Sequence, residues 1–450
     1  MDSANSFIQG RSSMSAADPR AAAFRTLQRV LGGQTLDQVF ERNADALDAR
    51  NRGFARELAT GVVRRYFSLS ADVSRFVRRP IAEIDTDVLI LLLLGAYQIR
   101  YMRVPGFAAV HATVELARVT PARSAGGLIN AVLRRVAESE APASLDAQSR
   151  YDHPSWLIEA FRLAYPDSWE ALLLTSLGRA PLSVRTNPQL VTRGDYLSRL
   201  IDEGIEASAT KLSLVGVQFA NPMDSAAIPG YSAGFCTIQD EGAQLAVPHL
   251  LLQGGLRVLD ACAAPGNKTS QIIEAAPNCQ LVALDIDAQR VASTRRNLAR
   301  LQHAQNVSVA DLSDLAAWWD GVPFDRILLD APCSGTGTMR RHPEIKLLRQ
   351  PEDVQRLVQV QRTLLGAAWQ VLKPGGFLVY STCSLLPQEN EQVIEHFLRN
   401  TPDAQVHQVN PESVENSRGV RAHANNPVML LPVQDGTDGF FMARLRKLTA

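Results

Sequence analysis

Residues 256–271, LRVLDACAAPGNKTSQ, decide the fold of this chain. The stretch opens with apolar residues that favour a β-strand, reaches an acid at Asp260, and passes through small residues, Pro265 and Gly266 into a helical pattern. A strand, a tight loop and a helix in this order are typical of an open α/β sheet, which binds its ligand beyond the carboxyl ends of its strands. Small residues let the backbone approach a ligand, and the start of a helix offers free N–H donors. The sequence therefore predicts a ligand site in this loop.

Four successive predicted strands end in an aspartate: Asp260, Asp285, Asp311 and Asp330. Strands often end in Asp for turn chemistry alone, so one such residue would indicate little. Four in succession predict that carboxylates line one edge of one sheet. An acid that closes the second strand suits the hydroxyls of a ribose, which makes Asp285 the candidate for that contact. The loop contains too few glycines for the dinucleotide fingerprint GxGxxG.

Two cysteines follow neighbouring predicted strands. The strand FDRILLD is followed by APCSGTG, which contains Cys333, and the strand GGFLVYS is followed by TCS, which contains Cys383. Both thiols are therefore expected just past the strand ends, on the same edge of the sheet as the acids.

The segments DACAAPGNKT, ALDID, DAPCSGTGTMR and YSTCSLLPQENE resemble the motifs of the cytosine-C5 RNA methyltransferases, the NOL1/NOP2/Sun family. The resemblance covers nearly the whole chain and points to the bacterial small-subunit ribosomal RNA enzymes of the Sun/Fmu type. It implies S-adenosylmethionine as the cofactor and 16S ribosomal RNA, free or in early assembly, as the partner. It also implies methyl transfer to carbon 5 of a specific cytosine through a covalent cysteine–C6 adduct.

The predicted fold is multidomain. Residues 1–18 are small and polar and predict a disordered tail. Residues 19–140 show about six helical stripes, an all-α domain that resembles the RNA-binding factor NusB. Residues 141–150 predict a linker and residues 151–240 a small α+β domain, which the resemblance implies helps to shape the RNA cleft. The resemblance further implies that residues 241–450 form the α/β Rossmann-like methyltransferase domain. In that domain, the resemblance implies that the last strand lies antiparallel beside the fifth.

The resemblance implies that the cofactor lies along the first loop and the strand-end acids. The candidate residues are Cys262, Ala263, Ala264, Pro265, Gly266, Asn267, Lys268, Asp285, Asp311 and Asp330. The family usually has a second glycine where this chain has Asn267. Because asparagine is one of the few residues that tolerate a left-handed backbone, we expect the loop to survive this difference.

The candidate catalytic residues are Cys383, Cys333 and Asp330. Carbon 5 of cytosine is a poor nucleophile, and addition of a thiolate at carbon 6 makes it enamine-like. The RNA family that this chain resembles attacks with the Thr-Cys cysteine, here Cys383, and uses the Pro-Cys cysteine, here Cys333, in product release. DNA cytosine-C5 enzymes attack with the Pro-Cys cysteine instead. Asp330 suits the N3 edge of the ring, where negative charge develops.

The segment that leads into the catalytic domain leaves one alternative open. CTIQDEGAQL, from Cys236, resembles the entry segment of the family, in which case Gln239 and Asp240 lie on the cofactor side. Asp240 equally suits the amino-terminal cap of a helix.

Charge is distributed unevenly although the net charge is zero. Residues 1–140 contain nineteen Arg, no Lys and fourteen Asp and Glu, an excess of five positive charges. This excess fits either a surface that contacts phosphates or a solvated helical face. Paired arginines are the candidates for phosphate contacts. The pairs are Arg64 and Arg65, Arg78 and Arg79, and Arg134 and Arg135.

The five cysteines show no spacing typical of zinc ligands, so no metal site is expected. Scattered cysteines in a chain of this size predict a reduced, cytoplasmic protein. The longest apolar run, VLILLLLGAY from Val88, is too short to cross a membrane and predicts a buried helix. We expect a monomer.

Several alternative functions compete with this interpretation. A methyltransferase of another RNA, such as transfer RNA, would carry the same motifs. A catalytically inactive RNA-binding assembly factor would explain the helical domain, but the two cysteines and four acids argue against it. An N-methyltransferase usually carries Asn/Asp-Pro-Pro-Tyr/Phe after the fourth strand, where this chain has Asp-Ala-Pro-Cys. A small-molecule methyltransferase would leave the first 240 residues unexplained.

Overall fold

The structure is a computed structural model that describes residues 18–142, 146–305, 307–408, 420–422 and 427–449. The predicted disordered tail lies outside these residues except for Asp18, whose side chain caps the first helix. The chain forms two compact units. The first unit contains the residues up to Leu177 together with His342–Leu348, and the second contains Gly178–Arg341 together with the residues from Arg349 onward.

The first unit is built from helices. In the described residues up to Leu177 they are α1 (Pro19–Leu31), α2 (Leu36–Asn43), α3 (Ala49–Arg64), α4 (Tyr66–Ser74), α5 (Thr86–Tyr101), α6 (Gly106–Arg118), α7 (Gly126–Glu138), α8 (Ala147–Tyr151), α9 (Ser155–Ala164) and α10 (Trp169–Ser176). The apolar residues 88–94 of α5 are all buried in one core, which confirms the prediction of a buried helix. No helix among the described residues is long and apolar enough to cross a membrane.

The helix boundaries differ from the prediction at two places. The sequence predicts about six helices in residues 19–140 and the structure has seven, because Arg65, with φ −109° and ψ 23°, separates α3 from α4. The sequence also predicts a linker at residues 141–150. Asp146 instead caps α8 by accepting a hydrogen bond from the Ser149 N–H at 2.8 Å.

The second unit begins with a small antiparallel sheet. Its strands are β1 (Leu182–Thr186), β2 (Ala207–Ala209), β3 (Gly216–Phe219) and β4 (Cys236–Ile238), in the order β2-β3-β1-β4. Helix α11 (Arg193–Asp202) packs on this sheet, and its Tyr196 and Leu200 are buried in one core with Val184 and Val217. The sequence predicts a small α+β domain over residues 151–240; its sheet and α11 lie within this range, whereas residues 151–177, with α9 and α10, belong to the first unit.

A larger sheet follows. Its strands are β5 (Arg257–Ala261), β6 (Gln280–Asp285), β7 (Val307–Val309), β8 (Phe324–Asp330), β9 (Leu372–Thr382), β10 (Ala404–Val406), β11 (Val420–Ala422), β12 (Val428–Leu430) and β13 (Phe440–Lys447). The order is β11-β12-β13-β9-β8-β5-β6-β7, with β10 paired to β13. Strands β7, β6, β5, β8 and β9 run parallel, and β13 pairs antiparallel with β9, which confirms the predicted position of the last strand. The order reverses between β5 and β8, the place where open sheets bind ligands.

The other helices are α12 (Glu241–Gln244), α13 (Asn267–Ala275), α14 (Ala288–Arg300), α15 (Leu315–Trp318), α16 (Ile345–Leu348), α17 (Pro351–Gln370) and α18 (Glu391–Asn400). The sequence predicts that α17 reaches Leu372, but Leu372 pairs with Phe324 and begins β9. It predicts that α18 begins at Gln388, but the helix begins at Glu391 because Pro387–Glu389 forms a 3₁₀ turn.

The segment His342–Leu348, which contains α16, has polar partners within the first unit. The Glu344 carboxylate accepts a hydrogen bond from the Leu36 N–H at 3.2 Å. The Lys346 ammonium donates to the Arg64 carbonyl at 2.6 Å. Burial lowers the pKa of Lys346 to about 7. The first unit is therefore completed by residues that come much later in the sequence.

Candidate active site

The loop after β5 turns through two residues with positive φ. Cys262 has φ 62° and Gly266 has φ 93°. A Cβ atom at Gly266 would lie 2.6 Å from Cγ2 of Thr294, so this position requires glycine for packing against α14 as well as for its backbone conformation. The Ala263 N–H donates to the Leu284 carbonyl at 2.9 Å. The loop is thus tied to the end of β6 before α13 begins.

Asn267 does not use the left-handed conformation that asparagine tolerates. It is the first residue of α13, and the left-handed residue is Gly266. The Asn267 side chain donates to the Ile238 carbonyl at 3.3 Å and accepts from the Asn297 amide at 3.2 Å. We expected the loop to accept Asn267 because asparagine tolerates a left-handed backbone, and this reason is wrong, since Asn267 is helical. The side chain instead adds hydrogen bonds that a glycine would lack.

Asp285 ends β6 and faces the same loop. Its carboxylate accepts hydrogen bonds from the N–H groups of Ala264 and Asp287, both at 3.1 Å. Asp285 is only 2% exposed, and Nη2 of Arg290 lies 3.6 Å from Oδ2 of its carboxylate. Because each carboxylate oxygen has two lone pairs, each retains one for a further donor.

Two other strand-end acids have contrasting environments. Asp260 is fully buried, accepts a hydrogen bond from the Thr269 hydroxyl at 2.6 Å, and its Oδ1 has no hydrogen-bond partner in the described part of the chain. Burial raises the pKa of Asp260 to about 7. Asp311 is exposed and lies beyond the end of β7. It accepts hydrogen bonds from the N–H and hydroxyl of Ser313 at 2.8 and 2.7 Å, so turn chemistry accounts for its position.

The fourth acid, Asp330, forms an ion pair with Lys268. Oδ2 of Asp330 lies 2.7 Å from Nζ of Lys268, and Oδ1 accepts a hydrogen bond from the Ser381 hydroxyl at 2.8 Å. The Lys268 ammonium also lies 5.2 Å from the centroid of the Phe440 ring. The Asp330 side chain remains 30% exposed, so the pair can contact a ligand. The start of α13, the end of β8 and the end of β9 are therefore joined through Asp330.

The two catalytic candidates Cys333 and Cys383 lie side by side. Their Sγ atoms are 3.4 Å apart. The hydrogen bond with Cys383 and burial both raise the pKa of Cys333 well above its usual value. A protonated Cys333 can donate a hydrogen bond to the neighbouring sulfur of Cys383. Burial raises the pKa of the Cys262 thiol, which makes Cys262 a poor nucleophile.

The contacts of Asp240 decide between the two roles that the sequence allows for it. Asp240 caps α12 by accepting a hydrogen bond from the Gly242 N–H at 2.8 Å, and it forms an ion pair with Arg341 at 3.1 Å. Gln239 accepts a hydrogen bond from the buried guanidinium of Arg185. Asp240 is therefore a helix cap, whereas Gln239 lies, through Arg185, next to Asn267, where the loop after β5 leads into α13.

Two residues of this site were not predicted from the sequence. Ser381 binds Asp330, and Glu389 accepts hydrogen bonds from the loops that carry both cysteines. Ser381 directly follows the apolar core of β9, and Glu389 lies in the ENE of YSTCSLLPQENE. The sequence around Glu389 predicts only the start of a helix. Its position six residues after Cys383 could have indicated that it lies close to this cysteine.

The predicted arginine pairs of the first unit differ in exposure. Arg78, Arg79, Arg134 and Arg135 are exposed. Arg65 forms an ion pair with Asp152 at 3.3 Å and is therefore engaged within the unit. No cluster of metal-binding side chains occurs among the residues that the structure describes.

Comparison with known proteins gives consistent matches. Family models described as the NusB family, an RsmF/B-like ferredoxin-like domain and the 16S rRNA methyltransferase RsmB/F match residues 17–138, 153–226 and 248–446. The chain is 41% identical over 440 residues to ribosomal RNA small subunit methyltransferase B of Pseudomonas syringae pv. tomato, a match that covers 96% of this chain and 98% of the relative.

Solved structures agree with these matches. The crystal structure of PH0851 covers 97% of this chain and 100% of its own, with a TM-score of 0.81 at 21% identity, which shows the fold. A methyltransferase homolog protein from Pyrococcus horikoshii covers 69% of this chain and 100% of its own, with a TM-score of 0.58 at 29% identity.

Proposed function

The chain belongs to the RsmB/F family of 16S ribosomal RNA methyltransferases, and from this premise we propose that it methylates carbon 5 of a specific cytosine in 16S ribosomal RNA through a covalent adduct with Cys383. The observation that carries the proposal is the pair of thiols 3.4 Å apart beside the Lys268–Asp330 ion pair. A methyl transfer to an exocyclic nitrogen would need neither thiol.

S-adenosylmethionine, when bound, supplies an electrophilic sulfonium methyl group. The residues of the loop after β5 fit this cofactor. Each oxygen of the Asp285 carboxylate accepts one backbone hydrogen bond and has a second lone pair, so the carboxylate can accept hydrogen bonds from two ribose hydroxyls. Residues 262–268 would contact it through small side chains and backbone groups. Asp311 and Asp330 are proposed as further contacts on the same edge of the sheet.

The nucleophilic step belongs to Cys383. Its thiolate adds to carbon 6 of the cytosine, and the displaced electron pair makes carbon 5 a nucleophile toward the methyl group. Negative charge develops at the N3 edge of the ring, where the Lys268 ammonium that Asp330 binds can donate a hydrogen bond or a proton, and Asp330 itself can do so only in its protonated form. The Cys333 thiol stays protonated during this step because it is buried and bonded to Cys383.

The second half of the reaction restores the aromatic ring. A water molecule accepts the proton on carbon 5, the electron pair of that C–H bond returns to the ring, and the bond between carbon 6 and Cys383 breaks to release the Cys383 thiolate. Cys333 is proposed to serve this elimination, since it lies within contact of the sulfur that departs. The target cytosine must be unpaired or flipped out for either thiol to reach it, so a stable duplex should react poorly.

Two alternatives remain as outcomes of experiment. Action on another RNA, such as transfer RNA, would use the same site. A catalytically inactive assembly factor would bind RNA without transfer, but the two adjacent thiols and the ion pair would then have no role. Bisulfite mapping of ribosomal RNA from cells with and without the protein separates these alternatives from the proposal.

The two cysteine variants are expected to fail in opposite ways. Cys383→Ala stops the reaction before any bond forms, so it gives neither methyl transfer nor a protein–RNA adduct. Cys333→Ala can still attack and methylate, but its product leaves slowly. A covalent complex should accumulate and survive denaturing electrophoresis with labelled cofactor and substrate RNA.

Cys279→Ala is a suitable control for the gel, because Cys279 directly precedes β6, at the opposite end of that strand from Asp285. This variant should behave as the unmodified protein. An adduct with Cys383→Ala and none with Cys333→Ala would reverse the two roles and indicate the mechanism of the DNA enzymes.

A further inference from the structure

A buried polar cluster lies next to the two cysteines. Its members are Ser334, Thr336, Gln361, Ser384 and Glu389, each at most 1% exposed. The Glu389 carboxylate accepts hydrogen bonds from the Ser334 N–H at 2.8 Å, the Ser334 hydroxyl at 2.5 Å and the Gln361 amide at 3.1 Å. It also accepts a hydrogen bond from the Ser384 hydroxyl. One carboxylate thus holds four neutral donors.

These donors belong to the residues that flank the thiols. Ser334 directly follows Cys333, and Ser384 directly follows Cys383. Gln361 also donates to the carbonyl of Pro332, on the other side of Cys333, at 2.9 Å. The carboxylate of Glu389 therefore joins the two cysteine loops to each other and to α17.

Further hydrogen bonds connect the same two loops. The Gly337 N–H donates to the Cys383 carbonyl and the Leu385 N–H donates to the Thr336 hydroxyl, both at 2.9 Å. Asn390, adjacent to Glu389, donates to the Ser384 carbonyl at 2.9 Å. The backbone on each side of each thiol is thereby fixed, and Glu389 occupies the centre of the arrangement.

A carboxylate is a costly way to fill a buried position. Salt bridges among the described residues do not include one to Glu389, so four neutral donors compensate its desolvation. Replacing buried charged groups by well-packed apolar residues is often neutral or stabilising. The arrangement therefore indicates that the geometry of the loops, more than the stability of the fold, depends on this residue.

We propose that Glu389 is a positioning residue that holds the sulfur atoms of Cys333 and Cys383 within contact of each other and at the angle needed for attack on the cytosine. It acts through Ser334 and Ser384 and does not touch the substrate. This inference rests on the proposed function, since it assigns the two thiols to one reaction.

The test uses the full chain and RNA that contains 5-fluorocytidine, whose fluorine cannot leave carbon 5 as a proton does, so that the covalent adduct is trapped. The rate of adduct formation is measured together with the stoichiometry and dissociation constant of S-adenosylmethionine binding. Normalising the rate to cofactor-binding molecules removes the effect of any unfolded fraction.

Glu389→Ala is expected to slow adduct formation roughly a hundredfold, the order found when reacting groups move by about 1 Å. The dissociation constant of the cofactor should stay unchanged, because the contacts of Glu389 lie in the cysteine loops. Glu389→Gln should retain most of the rate, since its amide can accept from the two N–H groups and donate to the two hydroxyls after they rotate. Glu395→Gln, an exposed glutamate in α18, is the matched control and should behave as the unmodified protein.

Two failures are distinguishable. If the unmodified protein forms no adduct, the proposed function is wrong. If it forms an adduct and Glu389→Ala forms it at the same rate per cofactor-binding molecule, only the positioning role is wrong and Glu389 is structural. Should Glu389→Ala not fold, Ser384→Ala removes a single hydroxyl from the cluster and must slow the same rate for the inference to hold.

Discussion

At the scale of single residues, the environment of each strand-end acid sets what the acid can do. Asp285 is buried and its oxygens can accept further hydrogen bonds, whereas Asp260 is buried and its Oδ1 has no partner among the described residues. Asp311 accepts hydrogen bonds within a turn, and Asp330 forms an ion pair with Lys268. The sequence pattern placed all four along one edge because parallel strands end together. It could not rank them, since burial and hydrogen bonding depend on the neighbouring loops.

Asp285→Ala is expected to weaken cofactor binding by roughly 1.5–3 kcal/mol, because the carboxylate would accept hydrogen bonds from two hydroxyls. Isothermal titration calorimetry measures this change. Asp314→Ala, an exposed aspartate after β7, is the control and should leave the affinity as it is. An unchanged dissociation constant for Asp285→Ala would remove this residue from the site.

Asp260 should make stability depend on pH. Its pKa is raised from 3.8 to about 7 by burial, so the native state holds a proton that the unfolded chain has released between these values. The stability that the neutral acid contributes is full below about 4 and is lost as the pH rises through about 7. Relative to Asp260→Asn, the unmodified protein should lose up to about 4 kcal/mol across this window.

Chemical denaturation of Asp260→Asn and the unmodified protein between pH 4 and 8 measures this effect. Because only the difference between the two proteins is used, the other titrating groups cancel. A difference in the free energy of unfolding that is constant with pH would show that Asp260 keeps an ordinary pKa.

At the scale of elements, helix α13 depends on a residue from the small sheet. Arg185, on β1, is 1% exposed and donates to the carbonyl of Asn267 at 2.8 Å and to the hydroxyl of Ser270 at 2.8 Å. It also forms an ion pair with Glu274 at 2.9 Å. The small sheet therefore holds the helix that follows the first loop.

Removing one partner of this pair should be strongly destabilising. Arg185→Met leaves the Glu274 carboxylate buried without its cation, which costs roughly 3–5 kcal/mol in comparable buried pairs. Arg185→Met combined with Glu274→Leu should recover much of that loss, as measured by urea denaturation of both variants. Equal stability of the single and double variants would mean that the pair contributes no coupling.

Sequence periodicity predicted the elements better than the contacts between them. The buried residues Phe24, Leu27 and Val30 of α1 recur at helical spacing, which a sequence shows directly. The hydrogen bonds from Arg185 to α13, or from Ser334 to Glu389, join residues far apart in the chain and follow no period. The left-handed residue was likewise misplaced by one position, because Asn267 and Gly266 both tolerate that conformation.

At the scale of the whole molecule, residues 1–140, which belong to the first unit, carry an excess of five positive charges. We expect this unit to bind RNA mainly through phosphates, so affinity should fall roughly tenfold or more between about 50 and 200 mM salt. The logarithm of the association constant falls linearly with the logarithm of the salt concentration. Replacing Arg78, Arg79, Arg134 and Arg135 by alanine should make this negative slope shallower by roughly 0.7–0.9 for each phosphate that is no longer neutralised.

Filter binding or fluorescence anisotropy over a salt series gives these slopes. Arg118→Ala is the control, because Arg118 is exposed but already paired with Glu115 at 2.7 Å. A complex that is insensitive to salt, or slopes that do not change in the four arginine variants, would contradict the phosphate contacts.

The membership of His342–Leu348 in the first unit also has a consequence for biosynthesis. Helices α1–α10 leave the ribosome first. The hydrogen bonds that Leu36 forms with Glu344, and Arg64 with Lys346, require residues that are translated long afterward. Folding of the amino-terminal unit is therefore completed only after Cys333 has been synthesised. In this chain the order of translation and the order of domain completion do not coincide, because hydrogen bonds of the amino-terminal unit require residues that are translated later.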